Sequence, residues 1–147
     1  MIRRFKEEDF EQLLNLGYEM NQESTFKDLG YSRDKIYNLM MTCIDKPDIY
    51  IGLADENNGV IDGMFVGYVS EYLFSEKLIA SELILYVRKS KRGGTAGLRM
   101  VREFESWAKE KNVSEIMLDV CTGINQQRTV DFYKRLGYKE SGIIVKK

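Results

Sequence analysis

The sequence predicts an α+β domain of mixed α/β character, and three observations carry the prediction. Apolar residues alternate over several short segments and recur at helical spacing over four longer ones. In chain order these segments read β-α-α-β-β-β-α-β-α-β. Hairpin-type connections join the early strands, whereas the longest helix is flanked by strands on both sides, the pattern of a parallel crossover unit. At 147 residues the chain is long enough for one proper core. Residues 1–147 are therefore expected to form a single domain, since no repeat, low-complexity tract or linker marks a boundary.

Each element has its own justification. Ile2–Phe5 reads as a short first strand. Glu7-Glu8-Asp9 suits the first turn of a helix, and Phe10, Leu13, Leu14 and Gly17 share one face. Asn21 to Tyr31 is polar enough for a loop. Ser32 or Asp34 can cap a second helix with Ile36, Leu39, Met40 and Cys43 on its inner face. Past Pro47, residues Ile49–Ala54 read as a strand. Asn57-Asn58-Gly59 supplies a hairpin turn, with the return strand placed at Met64–Val69. Leu78–Val87 is a longer strand, and a long helix spans about Thr95 to Lys111 with Met100, Val101, Phe104 and Trp107 inward. A strand at Ile116–Val120, a helix over Gln126–Leu136 and a last strand from Tyr138 to Val145 complete the reading.

Composition removes several chemistries. The chain has no histidine, so Ser-His-Asp and Cys-His mechanisms are excluded; any general base must be a carboxylate, tyrosine, lysine, cysteine, terminal group or water. Its two cysteines, Cys43 and Cys121, are too few for a disulfide framework, and without histidine they make no zinc site, so no metal is expected. The first residues are too polar for a signal peptide and no apolar run would span a membrane, which leads us to expect a cytoplasmic protein.

The most informative stretch is Arg92-Gly93-Gly94-Thr95-Ala96-Gly97. It follows the apolar run Leu83–Val87 and opens the long helix. A strand, a Gly-rich turn and a helix start present free backbone N–H groups at the positive end of a helix dipole, which suits a phosphate or pyrophosphate. Between Arg88 and Arg102 there are six cations and no acid, in a chain of net charge −1. No Gly-Lys-Ser/Thr closes the turn, so it is not a Walker A loop, and the glycines do not fit the dinucleotide fingerprint. The bland alternative is a tight turn in a basic loop.

This order, with this turn in this place, resembles the GNAT superfamily of acyl-CoA-dependent N-acyltransferases over nearly the whole chain. Val87-x-x-x-x-Arg92-Gly93-Gly94-Thr95-Ala96-Gly97 is similar to the family's strand-end Val followed by a Q/R-x-x-G-x-G/A turn. Asn125 followed by Phe132-Tyr133-Lys134-Arg135-Leu136-Gly137-Tyr138 resembles its N-x-x-A…LYxKLGF block. Thr95 stands where the usual register has a middle glycine; starting from Lys91 instead, Gly94 and Ala96 fit. Counting back from Tyr133 puts Gln126, rather than Asn125, at the family's usual Asn position. The resemblance implies a central, mixed, mostly antiparallel sheet of six to seven strands flanked by about four helices.

It also implies an enzyme that transfers an acetyl group from acetyl-CoA to a primary amine by direct attack in a ternary complex. On that reading Gly93, Gly94, Thr95, Ala96 and Gly97 hold the pyrophosphate through backbone N–H groups, with Arg92 adding charge. The strand at Leu85 and Val87 pairs with the pantetheine arm and polarises the thioester carbonyl. Tyr133 is the general acid, with a core aromatic as its alternative. Glu82 is the candidate base, with a solvated residue at the start of a strand as its alternative; strict alternation puts it on the face opposite Leu85 and Val87, so a base role requires a β-bulge. Asn125 contacts the cofactor or caps its helix. Cys121 is a small buried residue rather than a nucleophile, and Glu19, Glu23 and Asp28 are candidates for attracting a cationic amine. The acceptor is a small-molecule or peptide amine, with no membrane partner; a homodimer is compatible with the family. Two other readings stand beside this one: a CoA-binding domain without turnover, and a nucleic-acid module using the Arg88–Arg102 face. The inward-looking Phe104 and Trp107 argue against the latter.

Overall fold

A computed structural model describes all 147 residues. Its sheet has five strands in the order β1 (Ile2–Arg4), β2 (Tyr50–Asn57), β3 (Val60–Glu71), β4 (Leu78–Val87) and β5 (Glu115–Met117). The first four are antiparallel and β5 runs parallel to β4. Four α-helices accompany them: α1 (Phe10–Glu23), α2 (Arg33–Asp45), α3 (Ala96–Glu110) and α4 (Gln126–Arg135).

Alternation along the central strands divides the core into two layers. On one side Met64 and Val66 of β3 pack with Leu13 of α1 and Met40 of α2. On the other, Ile51, Leu53 and Phe65 pack with Met100, Phe104 and Trp107 of α3. Both faces of β3 are covered, so it reads as a nearly continuous buried run. Gly67 lets Phe104 lie against the strand backbone: a Cβ there would stand 2.6 Å from the ring.

Local chemistry explains most boundaries. Asn58 and Gly59 both adopt left-handed backbone, φ 53° and 80°, as a two-residue hairpin turn requires. The return strand begins at Val60 rather than Met64, because the ladder continues past a bulge at Asp55/Glu56. Ser32 caps α2 by accepting the Lys35 N–H. The turn at Glu7–Asp9 is 3-10 and α1 follows it. There the buried Asp9 accepts two hydrogen bonds from the Arg3 guanidinium and one from the Lys6 N–H.

Two expectations at the end of the chain are corrected. β5 is three residues long, ending at Met117, and no strand forms between Tyr138 and Val145, so the sheet has five strands instead of six or seven. Strand pairing needs a partner, and a three-residue edge offers little. The segment is also tied elsewhere at both ends. Tyr138 donates its N–H to Tyr133 O and its hydroxyl to Glu105, while Lys146 lies over the Phe26 ring. Ile143, Ile144 and Val145 are left exposed. No helix is long and apolar enough to cross a membrane, and no cluster of His, Cys, Asp or Glu could hold a metal ion.

Candidate active site

The site begins where β4 parts from β5. Their pairing covers only Ile79–Ser81 against Glu115–Met117, so from Glu82 to Val87 the strand is paired on its β3 side alone. Within that stretch β4 carries a bulge. Val66 pairs with Ile84 and Gly67 with Glu82, leaving Leu83 without a partner. The extra residue changes which way Glu82 faces. Ile84 and Tyr86 pack toward α1 and α2, whereas Ala80, Leu85 and Val87 pack toward α3. Glu82, two residues after Ala80 and before the bulge, shares the face of Leu85 and Val87. The bulge that a base role required is present.

Tyr133 of α4 meets Glu82 on that face, its hydroxyl donating to Oε2 at 3.0 Å. Both are enclosed, Glu82 8 % exposed and Tyr133 5 %. Burial pushes the Glu82 carboxyl up to about 8; the Tyr133 hydroxyl and the Asp119 backbone oppose the rise, and the Asp119 carboxylate adds to it. Burial and the adjacent Glu82 raise the Tyr133 hydroxyl well above the ordinary phenol range, so it stays protonated. The pair thus joins a carboxyl that can exchange a proton near neutral pH to a hydroxyl that holds one. Cys121 has the opposite tuning for a nucleophile: burial, Asp119 and Glu82 all raise its thiol.

The Gly-rich turn follows β4 through a short 3-10 segment, Lys89–Lys91. Gly93 is left-handed at φ 94°, a conformation that favours glycine. Thr95 occupies the N-cap position of α3, but its side chain makes no capping bond. The first N–H groups of α3 therefore have no side-chain acceptor. A Cβ on Gly97 would meet nothing within 4 Å, and one on Gly94 only the Lys91 carbonyl oxygen at 4.0 Å. The turn is therefore open at Gly94 and Gly97.

The basic stretch is less free than its sequence suggests. Of the six cations from Arg88 to Arg102, five lie in ion pairs: Arg88 with Glu19 and Asp62, Lys91 with Asp62, Arg92 with Glu23, Arg99 with Asp55 and Arg102 with Glu105. Arg92 is the most committed. Its Nε donates to the Val87 carbonyl at 2.8 Å, both terminal nitrogens donate to Glu23 at 3.0 Å, and its guanidinium lies over the Tyr86 ring. Tyr86 donates its hydroxyl to the same Glu23 carboxylate. Arg92 and Tyr86 hold that carboxyl below its usual range against the opposing effect of burial. Glu19 and Glu23 are thus engaged by arginines, while Asp28 is exposed.

The family model for the acetyltransferase (GNAT) family matches residues 8–138. The chain belongs to that family. No curated protein matches it. Among solved structures it is similar to a transcriptional regulator from Bacillus halodurans C-125, at TM-score 0.79 and 22 % identity over 100 % of this chain and 97 % of that one. It is also similar to glucosamine-6-phosphate N-acetyltransferase from Arabidopsis thaliana, at TM-score 0.77 and 16 % identity over 100 % and 96 %. An aminoglycoside antibiotic 6'-N-acetyltransferase from Acinetobacter haemolyticus follows at TM-score 0.75 and 16 % identity, again over 100 % and 96 %. At these identities the likeness is one of fold.

GNAT acetyltransferases use acetyl-CoA, and two features of this chain fit it: the unpaired side of β4 and the open turn. Asn125 occupies the N-cap position of α4 in left-handed backbone, φ 45°, yet its side chain makes no capping bond. Two site residues escaped the sequence reading. Asp119 lies two residues beyond β5, and the parallel pairing that ends at Ser81 and Met117 brings it beside Glu82. Arg128 of α4 extends to the turn, its Nη2 3.8 Å from where a Cβ on Gly93 would stand. No sequence motif marks either. Two surface clefts of about 470 and 670 Å³ open elsewhere, beside Ile116 and Tyr138 and beside Ile2 and Leu98; Glu82 and Tyr133 line neither. The site is described by its strand edge and its turn.

Proposed function

We propose that this GNAT chain is an N-acetyltransferase that acetylates a primary amine of a small molecule or peptide by direct attack within a ternary complex. The buried hydrogen bond between Tyr133 and Glu82 carries the proposal, because it combines a proton acceptor and a proton donor beside an unpaired strand edge. Acetyl-CoA supplies an activated acyl group and a thiol leaving group. The backbone N–H groups of Gly93–Gly97 bind its diphosphate, and the main chain at Leu85 and Val87 orients its amide arm and polarises the acyl carbonyl. Glu82 takes up a proton at Oε2 from the acceptor ammonium, directly or through water. Tyr133 holds a proton at Oη for the departing sulfur. Arg92 keeps the turn in shape by bonding to Val87 and Glu23.

Thermal unfolding with acetyl-CoA, CoA, ATP and a short DNA duplex tests this reading. A ligand confined to the native state at about a hundred times its Kd adds roughly 2.7 kcal/mol of stability. Both CoA species should raise Tm, and ATP and DNA should not. A screen of amine acceptors for release of free thiol follows. A shift with neither CoA species would overturn the reading, and a DNA-only shift would transfer it to the Arg88–Arg102 face.

A further inference from the structure

A cationic side chain adds full charge to the partial charges of a turn and a helix end, and the one suggested by the sequence is committed elsewhere. For Arg92 to reach a ligand it would have to give up its bonds to Val87 and Glu23 and its place over Tyr86. Doing so would also leave the Glu23 carboxylate unpaired near an anion. Arg88, Lys91, Arg99 and Arg102 are paired as well. Lys89 is exposed and unpaired, but it sits in the 3-10 segment before the turn; Arg128 reaches the turn itself. It makes no ion pair or hydrogen bond, it is exposed, and its Nη2 lies 3.8 Å from the Cβ position of Gly93 at the heart of the turn. It belongs to the first turn of α4, a ten-residue helix with no acid in that turn. The nearest acid along the helix, Asp131, accepts a hydrogen bond from Gln127 instead.

We infer that Arg128 is the side chain that grips the diphosphate of the cofactor, reaching from α4 across the Gly93 turn, while Arg92 braces the turn from behind. This assignment rests on the acetyl-CoA reading above. A planar guanidinium with several donors matches two phosphoryl oxygens at once. Glycine at 93 is required by its left-handed backbone, and Arg128 lies in ordinary contact above it.

Calorimetric titration of the full chain tests the inference without requiring turnover. Wild type, Arg128→Gln and Arg128→Lys are titrated with CoA, 3'-dephospho-CoA and pantetheine, and the Tm of each unliganded protein is recorded. Arg128→Gln should weaken CoA and 3'-dephospho-CoA alike by about 10- to 100-fold. It should leave pantetheine binding and Tm unchanged, the lysine variant should fall between, and the deficit should shrink as salt is raised. Unchanged affinities would overturn the inference. So would a deficit seen with CoA but not with 3'-dephospho-CoA, which would assign Arg128 to the 3'-phosphate, and so would an equal loss with pantetheine. A wild-type protein that binds no CoA species would instead remove the acetyl-CoA reading itself.

Discussion

Replacing Glu82 with Gln should make the protein progressively more stable than wild type as pH rises above about 4.5 and change little below that pH. Burial raises the carboxyl from the usual 4.5 to about 8, so the folded state holds its proton more tightly than the unfolded chain does. Below about pH 4.5 Glu82 is neutral in both states and its burial carries no electrostatic cost. As pH rises through that value the unfolded chain ionises first, and folding stability falls until the folded carboxyl also ionises near pH 8. At about 1.4 kcal/mol per pH unit the accumulated loss is roughly 5 kcal/mol above pH 8, of which about 3 kcal/mol has accrued by pH 7. In a domain of this size that corresponds to roughly 10–20 °C in Tm. Glutamine keeps an acceptor for the Tyr133 hydroxyl and never ionises.

The assay is thermal unfolding of both proteins from pH 4.5 to 9. Groups common to both, including the Asp9 and Glu23 carboxyls held low by arginines, cancel in the difference. The two Tm values should coincide near pH 4.5 and separate progressively, with Glu82→Gln the more stable. A constant difference across the range would refute the reasoning, since it would mean that Glu82 ionises as freely in the folded protein as in the unfolded chain.

Removal of the Tyr133 hydroxyl, in Tyr133→Phe, should leave CoA affinity unchanged and lower kcat by about 10²- to 10⁴-fold, read in steady-state kinetics with any accepted amine; unchanged turnover would return Tyr133 to a core role. Arg92→Gln should cost about 1–3 kcal/mol of stability in urea unfolding, because it leaves a carboxylate and a carbonyl without their charged donor. A loss under about 0.5 kcal/mol would show that Arg92 does not brace the turn.

Features set by local chemistry were legible, and those set by distant partners were not. α3 could be read from Met100, Phe104 and Trp107 at helical spacing, and the β2–β3 turn from Asn58 and Gly59. The start of β3 was obscured because Asp62 and Gly63 look like strand breakers; in the fold Asp62 is buried against Arg88 and Lys91, and a Cβ on Gly63 would meet Met100. Ile143, Ile144 and Val145 have strand-like side chains but no strand to pair with, and side-chain preference without a partner makes no ladder. Likewise Arg92 advertises a free charge, and only the chain's return from α1 supplies Glu23, 69 residues away, to claim it.

The bulge at Leu83 shows most directly how little separates these cases. With Leu83 in register, Glu82 would point with Ile84 and Tyr86 into the layer built by Leu13, Met40 and Met64, on the face away from Leu85 and Val87. A carboxyl buried in that layer without the Tyr133 hydroxyl would lose its hydrogen bond and keep its desolvation cost. One unpaired residue turns it instead toward α4, where the hydroxyl waits at 3.0 Å. The cost of enclosing a carboxyl outweighs its hydrogen bonds, and that is what lifts its proton affinity to near neutral pH. The bulge thus does two things together: it selects the face, and it creates the environment that makes Glu82 able to exchange a proton there.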